Sequence, residues 1–268
     1  MTRPRVLIIA GLDPCGGAGI AADIRTISAL GGYPMPVLSA VTVQNTCTVR
    51  SVQPLAPDLV AAQIRAVCAD IAPDAVKVGM LADPAIVEAV AEVLAALTGV
   101  PIVVDPVLAA GSGDPLAIAP LGPALVTHLL PVATVATPNA PELATLTGRS
   151  VTTEAELESA AQALLARTGA AAVYAKAGHL SGSMHRDILI RRDGGRTAYE
   201  APHLDTRAGH GTGCVLASAL ACELGIGRSF EEAAQHAHAF VQQALRHADL
   251  SLGRGTPPVD PLWRMGKP

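Results

Sequence analysis

Val6-Leu7-Ile8-Ile9-Ala10 runs without a polar residue into Gly11-Leu12-Asp13-Pro14-Cys15-Gly16-Gly17-Ala18-Gly19, after which Ile20, Ile24, Ile27 and Leu30 recur at helical spacing before Gly31-Gly32. The first run reads as a buried strand. The glycine-rich segment turns the chain, and the closing glycine pair stops the helix. The same unit repeats downstream. Val37 to Val43, Ala75 to Val78, Ile102 to Val104, Val132 to Ala136 and Ala171 to Ala175 read as strands. Asp58 to Cys68, Pro84 to Leu97 and Glu154 to Arg167 read as helices, the second with proline in its first turn. Strands alternating with helices imply α/β architecture, a mostly parallel sheet covered on both faces.

The rhythm changes once. Asp187-Ile188-Leu189-Ile190, then Asp193-Gly194-Gly195, then Thr197 to Ala201 predicts a small antiparallel hairpin. Helices return from Thr212 and over Phe230 to His247. No repeat or linker interrupts the chain, so residues 1–268 are expected to form a single domain.

The 268 residues carry a net charge of −4; half are hydrophobic, but aromatics make up only 2 %. Mild acidity and few aromatics argue against a nucleic-acid surface. The positive mean hydropathy of +0.39 reflects Ala, Val and Leu. The longest uncharged run, between Asp114 and Glu142, is broken by six prolines and fits no membrane-spanning helix. Only five apolar residues precede Gly11, too few for the core of an export signal. Cys15, Cys47, Cys68, Cys214 and Cys222 are odd in number and form no Cys-x-x-Cys pair. Neither a disulfide framework nor a zinc site is expected, and the cytoplasm is the expected compartment.

The chemistry is expected beyond the carboxyl ends of the strands, where open parallel sheets bind ligands. Gly209-His210-Gly211-Thr212-Gly213-Cys214 opens a helix, whose first N–H groups lack intrahelical partners and carry positive potential. Small residues let an anion approach them. Cys214 in the first turn is expected to have a lowered thiol pKa. An anion hole beside an ionisable group suits phosphoryl transfer. An inert core cysteine, or a nucleophile oriented by His210, are the other readings of Cys214. The turn after the first strand lacks the Gly-Lys-Ser/Thr ending of a P-loop and matches only half a dinucleotide fingerprint. Gln44-Asn45-Thr46 offers an amide able to pair with an aminopyrimidine edge, or a locally bonded turn. Asp105 and Glu142, at two strand ends, suit Mg²⁺ shared with nucleotide phosphates, or else helix capping for Asp105 and a first-turn dipole partner for Glu142. Lys176 suits a phosphate, or solvent. His179, His210, His236 and His238 form no convincing metal set.

Taken together these segments resemble the hydroxymethylpyrimidine/phosphomethylpyrimidine kinases of thiamine biosynthesis, in the ribokinase-like superfamily. The resemblance rests on Ala10 to Asp23, Val41 to Thr46, Lys77-Val78-Gly79-Met80-Leu81, Val104 to Val107, Thr137 to Glu142 and His210 to Cys214, in family order. It implies a three-layer ribokinase-like fold and ATP-dependent phosphorylation of 4-amino-5-hydroxymethyl-2-methylpyrimidine, then of its monophosphate. It implies that Asp23 and Gln44 contact the pyrimidine, with Gly11, Ala18, Met80 and Val107 lining its pocket. Asp105 and Glu142 would organise Mg²⁺, Lys176 and Asn139 would meet the nucleotide, and Gly211, Thr212 and Gly213 would form the anion hole. Cys214 would stand where sugar-kinase relatives carry an Asp base. Three positions depart from the pattern. Cys15 replaces a usual Ser, Ala177 a usual Gly, and Ala208-Gly209 the common Asn-Thr before His210. Competing readings are a pyridoxal or pyridoxine kinase, a Cys-dependent hydrolase and a non-catalytic pyrimidine-binding protein. A homodimer is expected by analogy alone.

Overall fold

Alternation along the strands decides how the layers form. The computed structural model describes residues 3–180 and 182–265. Its sheet has nine strands in the order β3-β2-β1-β4-β5-β6-β7-β8-β9. The strands are β1 (Arg5–Leu12), β2 (Tyr33–Gln44), β3 (Val49–Pro54), β4 (Ala75–Val78), β5 (Ile102–Val104), β6 (Val135–Ala136), β7 (Ala172–Ala175), β8 (Met184–Arg191) and β9 (Arg196–Pro202). β2, β1, β4, β5, β6 and β7 pair in parallel. β3 adds antiparallel at one edge and the β8–β9 hairpin at the other.

In β1, Leu7 and Ile9 enter one core while Val6, Ile8 and Ala10 enter the other. β4 follows the same period of two: Val76 and Val78 face the first core, Ala75 the second. Lys77 therefore projects toward the second layer, against the period's apolar rule. α2 (Pro57–Asp70), α3 (Pro84–Leu94), the single turn α4 (Gly122–Ala124), α5 (Ala140–Thr147) and α6 (Glu154–Arg167) lie on the first side. α1 (Gly19–Ala29), α7 (Thr212–Gly225) and α8 (Phe230–Arg246) cover the second. α7 is buried continuously from Val215 to Leu224, while its first turn, Thr212 to Cys214, is only partly buried. Among the described residues no helix is long and apolar enough to cross a membrane.

Three elements differ from the sequence reading. The strand expected over Val132 to Ala136 shrinks to Val135–Ala136, because Pro131 sits in a tight helical turn over Leu130–Val132. β3 is an additional edge strand, none of whose residues is fully buried. α5 is an additional helix opened by a capping box between Asn139 and Glu142.

Candidate active site

The residues expected to line the acceptor pocket gather where β1 and β2 end. A Cβ on Gly11 would lie 2.8 Å from Met80 Sδ, so glycine is what lets the strand end pass that side chain. Met80 packs with Ala40, Ala82 and Leu116, and Val107 closes against them. Gln44 Oε1 accepts from Thr42 Oγ1 at 3.1 Å, and Thr42 also bonds Leu12 O, which ties the amide to the strand after Gly11. Ala18 is the residue preceding α1, and its N–H donates to Asp13 Oδ2. Gly11, Ala18, Gln44, Met80 and Val107 are thus brought to one end of the sheet.

Asp23 is placed differently from the expected pyrimidine contact. It is 0 % exposed, and its two oxygens sit 2.8 and 2.7 Å from Lys77 Nζ. Ser218 Oγ of α7 donates to it at 2.8 Å. α1, β4 and α7 are therefore locked by one buried ion pair beneath the site. Burial opposes the charged ammonium of Lys77, but Asp23, Cys214 and Asp105 outweigh it and raise the lysine's pKa.

Asp105 after β5, Glu142 in the first turn of α5 and Lys176 after β7 converge. Lys176 Nζ is 2.7 Å from Asp105 Oδ1 and 3.9 Å from Glu142 Oε2. Thr137 Oγ1 donates to the same Asp105 oxygen at 3.1 Å. Burial pushes the Glu142 carboxyl up to about 7, opposed by Lys176 and assisted by Asp105. Two buried carboxylates thus share one ammonium. Oxygen donors with uncompensated negative charge fit Mg²⁺. Glu142 also caps its helix: Oε2 accepts from Asn139 N at 2.7 Å, and Asn139 Oδ1 accepts from Glu142 N at 2.9 Å. The capping and ligand readings of Glu142 are compatible. Asn139 bridges to Lys176 through the backbone, with its side-chain oxygen committed to the cap.

Gly211 precedes α7 in the left-handed region, φ +87°, and a Cβ there would strike Gly17 O. Among the described residues no acceptor within the fold takes the N–H of Gly213 or Cys214. The Thr212 N–H turns back to Gly209 O at 3.3 Å, so Thr212 is the most engaged of the expected anion-hole groups. A Cβ on Gly213 would lie 3.1 Å from Lys176 Nζ and 3.3 Å from Asp105 Oδ2. The helix start and the charged cluster therefore face each other across a glycine. The thiol does not behave as expected. Burial pushes Cys214 up to about 11; Lys77 pulls down, Asp23 and Asp105 push up, and a backbone bond from Gly19 pulls down. Burial and the two carboxylates set the direction, opposite to the lowering expected at a helix start. Nor does His210 orient Cys214 as a nucleophile: its Nε2 lies 2.7 Å from Asp13 Oδ2 instead.

Beyond Lys176 and Gly213 a cavity of ≈ 240 Å³ opens between the β8–β9 hairpin and helices α7 and α8. Leu204, Ala208, Leu216, Val241 and Leu245 give it apolar surface, and Lys176, Asp187, three histidines, Gln242, Thr206 and Thr212 line it with polar groups. A larger groove of ≈ 730 Å³ lies away from this cluster, bounded by Ala117, Pro120, Gly148 and Arg167.

Sequence reasoning missed Lys77, Ser218 and Asp13 as site-building groups, and the segment around Gly253 to Val259. That segment bonds Thr46 through Gly255 and Thr256, and accepts from Gly209 and His210 at Pro257, so it joins the acceptor side to the anion hole. The one available signal was Lys77 itself, a charge inside an apolar strand.

A family model described as Phosphomethylpyrimidine kinase matches residues 13–260. A hydroxymethylpyrimidine/phosphomethylpyrimidine kinase of Streptomyces coelicolor is 46 % identical over 268 residues, 100 % of this chain and 97 % of its own. That of Escherichia coli K12 is 42 % identical over 261 residues, 97 % of each. An ADP complex of Bacillus subtilis pyridoxal kinase superposes with a TM-score of 0.88 at 29 % identity, covering 99 % of this chain and 100 % of that one. Phosphomethylpyrimidine kinase from Clostridium difficile 630 superposes with a TM-score of 0.79 at 34 % identity, covering 90 % and 99 %.

Proposed function

The chain belongs to the phosphomethylpyrimidine kinase family, and from that membership we propose how its cleft phosphorylates the hydroxymethyl group of 4-amino-5-hydroxymethyl-2-methylpyrimidine, and then the monophosphate, with ATP. The observation that carries the reading is the placement of Gly213 between the free N–H groups of α7 and the Lys176–Asp105 pair. A phosphoryl group moving from nucleotide to acceptor passes through that gap.

The pyrimidine lies against Gly11, Ala18, Met80 and Val107, and the Gln44 amide pairs with its amino edge. Asp23 holds the floor through Lys77 and does not touch the ring. The adenosine lies in the cavity between the hairpin and α7–α8, and its phosphates point to Lys176, with the Asn139 amide beside them. Asp105 and Glu142 hold Mg²⁺, which supplies charge neutralisation on the phosphates when bound. The N–H groups of Gly211, Gly213 and Cys214 meet the oxygens of the transferring group, and Thr212 supports that turn.

Negative charge on those oxygens is where a fixed set of donors lowers the barrier most. A loose transition state requires little removal of the hydroxyl proton beforehand. With its thiol pushed up to about 11, Cys214 is neutral in the free enzyme near pH 7. We assign it to shaping the acceptor end of the anion hole, and the transfer to the surrounding charges.

The test is product analysis with ATP and Mg²⁺ against the pyrimidine alcohol, its monophosphate and pyridoxal. Mono- and then diphosphate should form from the first two, with kcat/KM for pyridoxal lower. Preferred turnover of pyridoxal, which the fold's similarity to pyridoxal kinases makes the second reading, would overturn the acceptor assignment. ATP hydrolysis without phosphorylated product would overturn the transfer itself.

A further inference from the structure

Asp13, Cys15 and His210 meet beside Gly17, where a Cβ would strike the His210 ring. Cys15 Sγ lies 3.2 Å from Asp13 Oδ2 and 3.6 Å from His210 Nε2, and that nitrogen is 2.7 Å from the same Oδ2. One sulfur, one nitrogen and one oxygen donor, each from a different side chain, fall within 4.8 Å of one another. We propose that Asp13, Cys15 and His210 form a binding site for a borderline divalent cation of the Zn²⁺ class.

The geometry is close to what such an ion takes. Zn–N and Zn–O bonds near ~2.0–2.1 Å and Zn–S near ~2.3 Å give tetrahedral edges of roughly 3.3–3.6 Å. The sulfur–nitrogen edge already has that length, and the nitrogen–oxygen edge needs to open by roughly half an ångström. The carboxylate is oriented for the task. Asp13 Oδ1 accepts from Cys15 N, and Oδ2 from Gly17 and Ala18 N–H at 3.1 and 2.9 Å, the outer bonds that fix a metal ligand. The ion takes the place of the thiol proton and the Nε2 proton, both of which leave to solvent. Cys15 is exposed, so water completes the shell.

The donor set separates this site from Asp105 and Glu142. Thiolate and imidazole favour Zn²⁺ over the oxygen-seeking Mg²⁺. Asp13 and His210 are 197 residues apart, so no spacing in the sequence announces it. Because His210 leads into Gly211, the ion also clamps the glycine turn to the start of α7.

The experiment is competition between chelator-stripped protein and a chromophoric chelator for Zn²⁺, in saturating Mg²⁺. One Zn²⁺ per chain is expected, and Cys15→Ser should weaken it by more than ~10²-fold, since removing even an outer partner costs roughly 10–100-fold. Co²⁺ in place of Zn²⁺ should give a thiolate charge-transfer band that Cys15→Ser abolishes. Unaltered protein supplies a check free of folding effects: Zn²⁺ should protect Cys15, located by peptide mass spectrometry, from alkylation. No stoichiometric Zn²⁺, an unchanged affinity or band in Cys15→Ser, or no protection of Cys15 would each overturn the site.

Discussion

Lys77 and Lys176 each hold a carboxylate at 2.7 Å on either side of the start of α7, yet they are buried in opposite ways. Lys77 and Asp23 are both 0 % exposed and matched one to one, with Ser218 taking part of the carboxylate. Lys176 is 14 % exposed toward the cleft and faces two carboxylates. The first cluster is closed and self-compensated; it joins three elements and leaves nothing for a ligand. The second opens to the cleft and sets two carboxylates on one ammonium; burial, helped by the Asp105 charge and opposed by Lys176, raises Glu142 to about 7. A balanced pair builds the floor, and the unbalanced one is where we propose that a cation and phosphates bind.

Breaking the closed pair should have the largest effect. Lys77→Met leaves Asp23 buried without its cation, which costs about 3–5 kcal/mol of folding stability. Chemical denaturation reads this directly. The double variant with Asp23→Leu should recover most of the loss, because no lone charge remains. If Lys77→Met is as stable as the parent, the pair is not the closed structural unit described.

Lys176→Met should invert the pattern. Its stability loss should be smaller than that of Lys77→Met, since Glu142 takes up a proton near pH 7 and the cluster opens to water. Its kcat should fall about 10²–10³-fold, the loss typical of one preorganised charge-stabilising group. Steady-state kinetics beside a melting curve separates the two lysines.

The acceptor side sharpens the contrast, because its contacts are neutral. Gln44→Ala should raise the KM for the pyrimidine by the equivalent of about 1–3 kcal/mol, with little change in the KM for ATP. Equal changes in both would remove Gln44 from the acceptor pocket.

What could be read beforehand follows the same division. β1 and β5 were legible because Val6 to Ala10 and Ile102 to Val104 are wholly apolar, and α1 and α7 because glycine turns bound them. β3 was not: Val49-Arg50-Ser51-Val52-Gln53-Pro54 lies half-exposed at an edge, where packing imposes no pattern. α5 carried a readable signal in Asn139 and Glu142, but two prolines obscured it. The open cluster was legible because Asp105 and Lys176 directly follow strands of a parallel sheet and Glu142 lies in the short segment after β6. The closed pair was not, since Asp23 and Lys77 are 54 residues apart and only the alternation of β4 aims one at the other. Cys214 shows the limit most sharply. Its helix terminus was visible, but the burial and the Asp23 and Asp105 charges that push the thiol up were not.

The central claim is that fixed charges and N–H groups around α7, and not a thiolate base, carry the transfer. The kcat of Cys214→Ser tests it most directly, because serine keeps the shape and cannot ionise near neutral pH. The account predicts a loss below about tenfold, smaller than that of Lys176→Met. A loss of about 10²–10⁴-fold, the range for a missing general base, would contradict it.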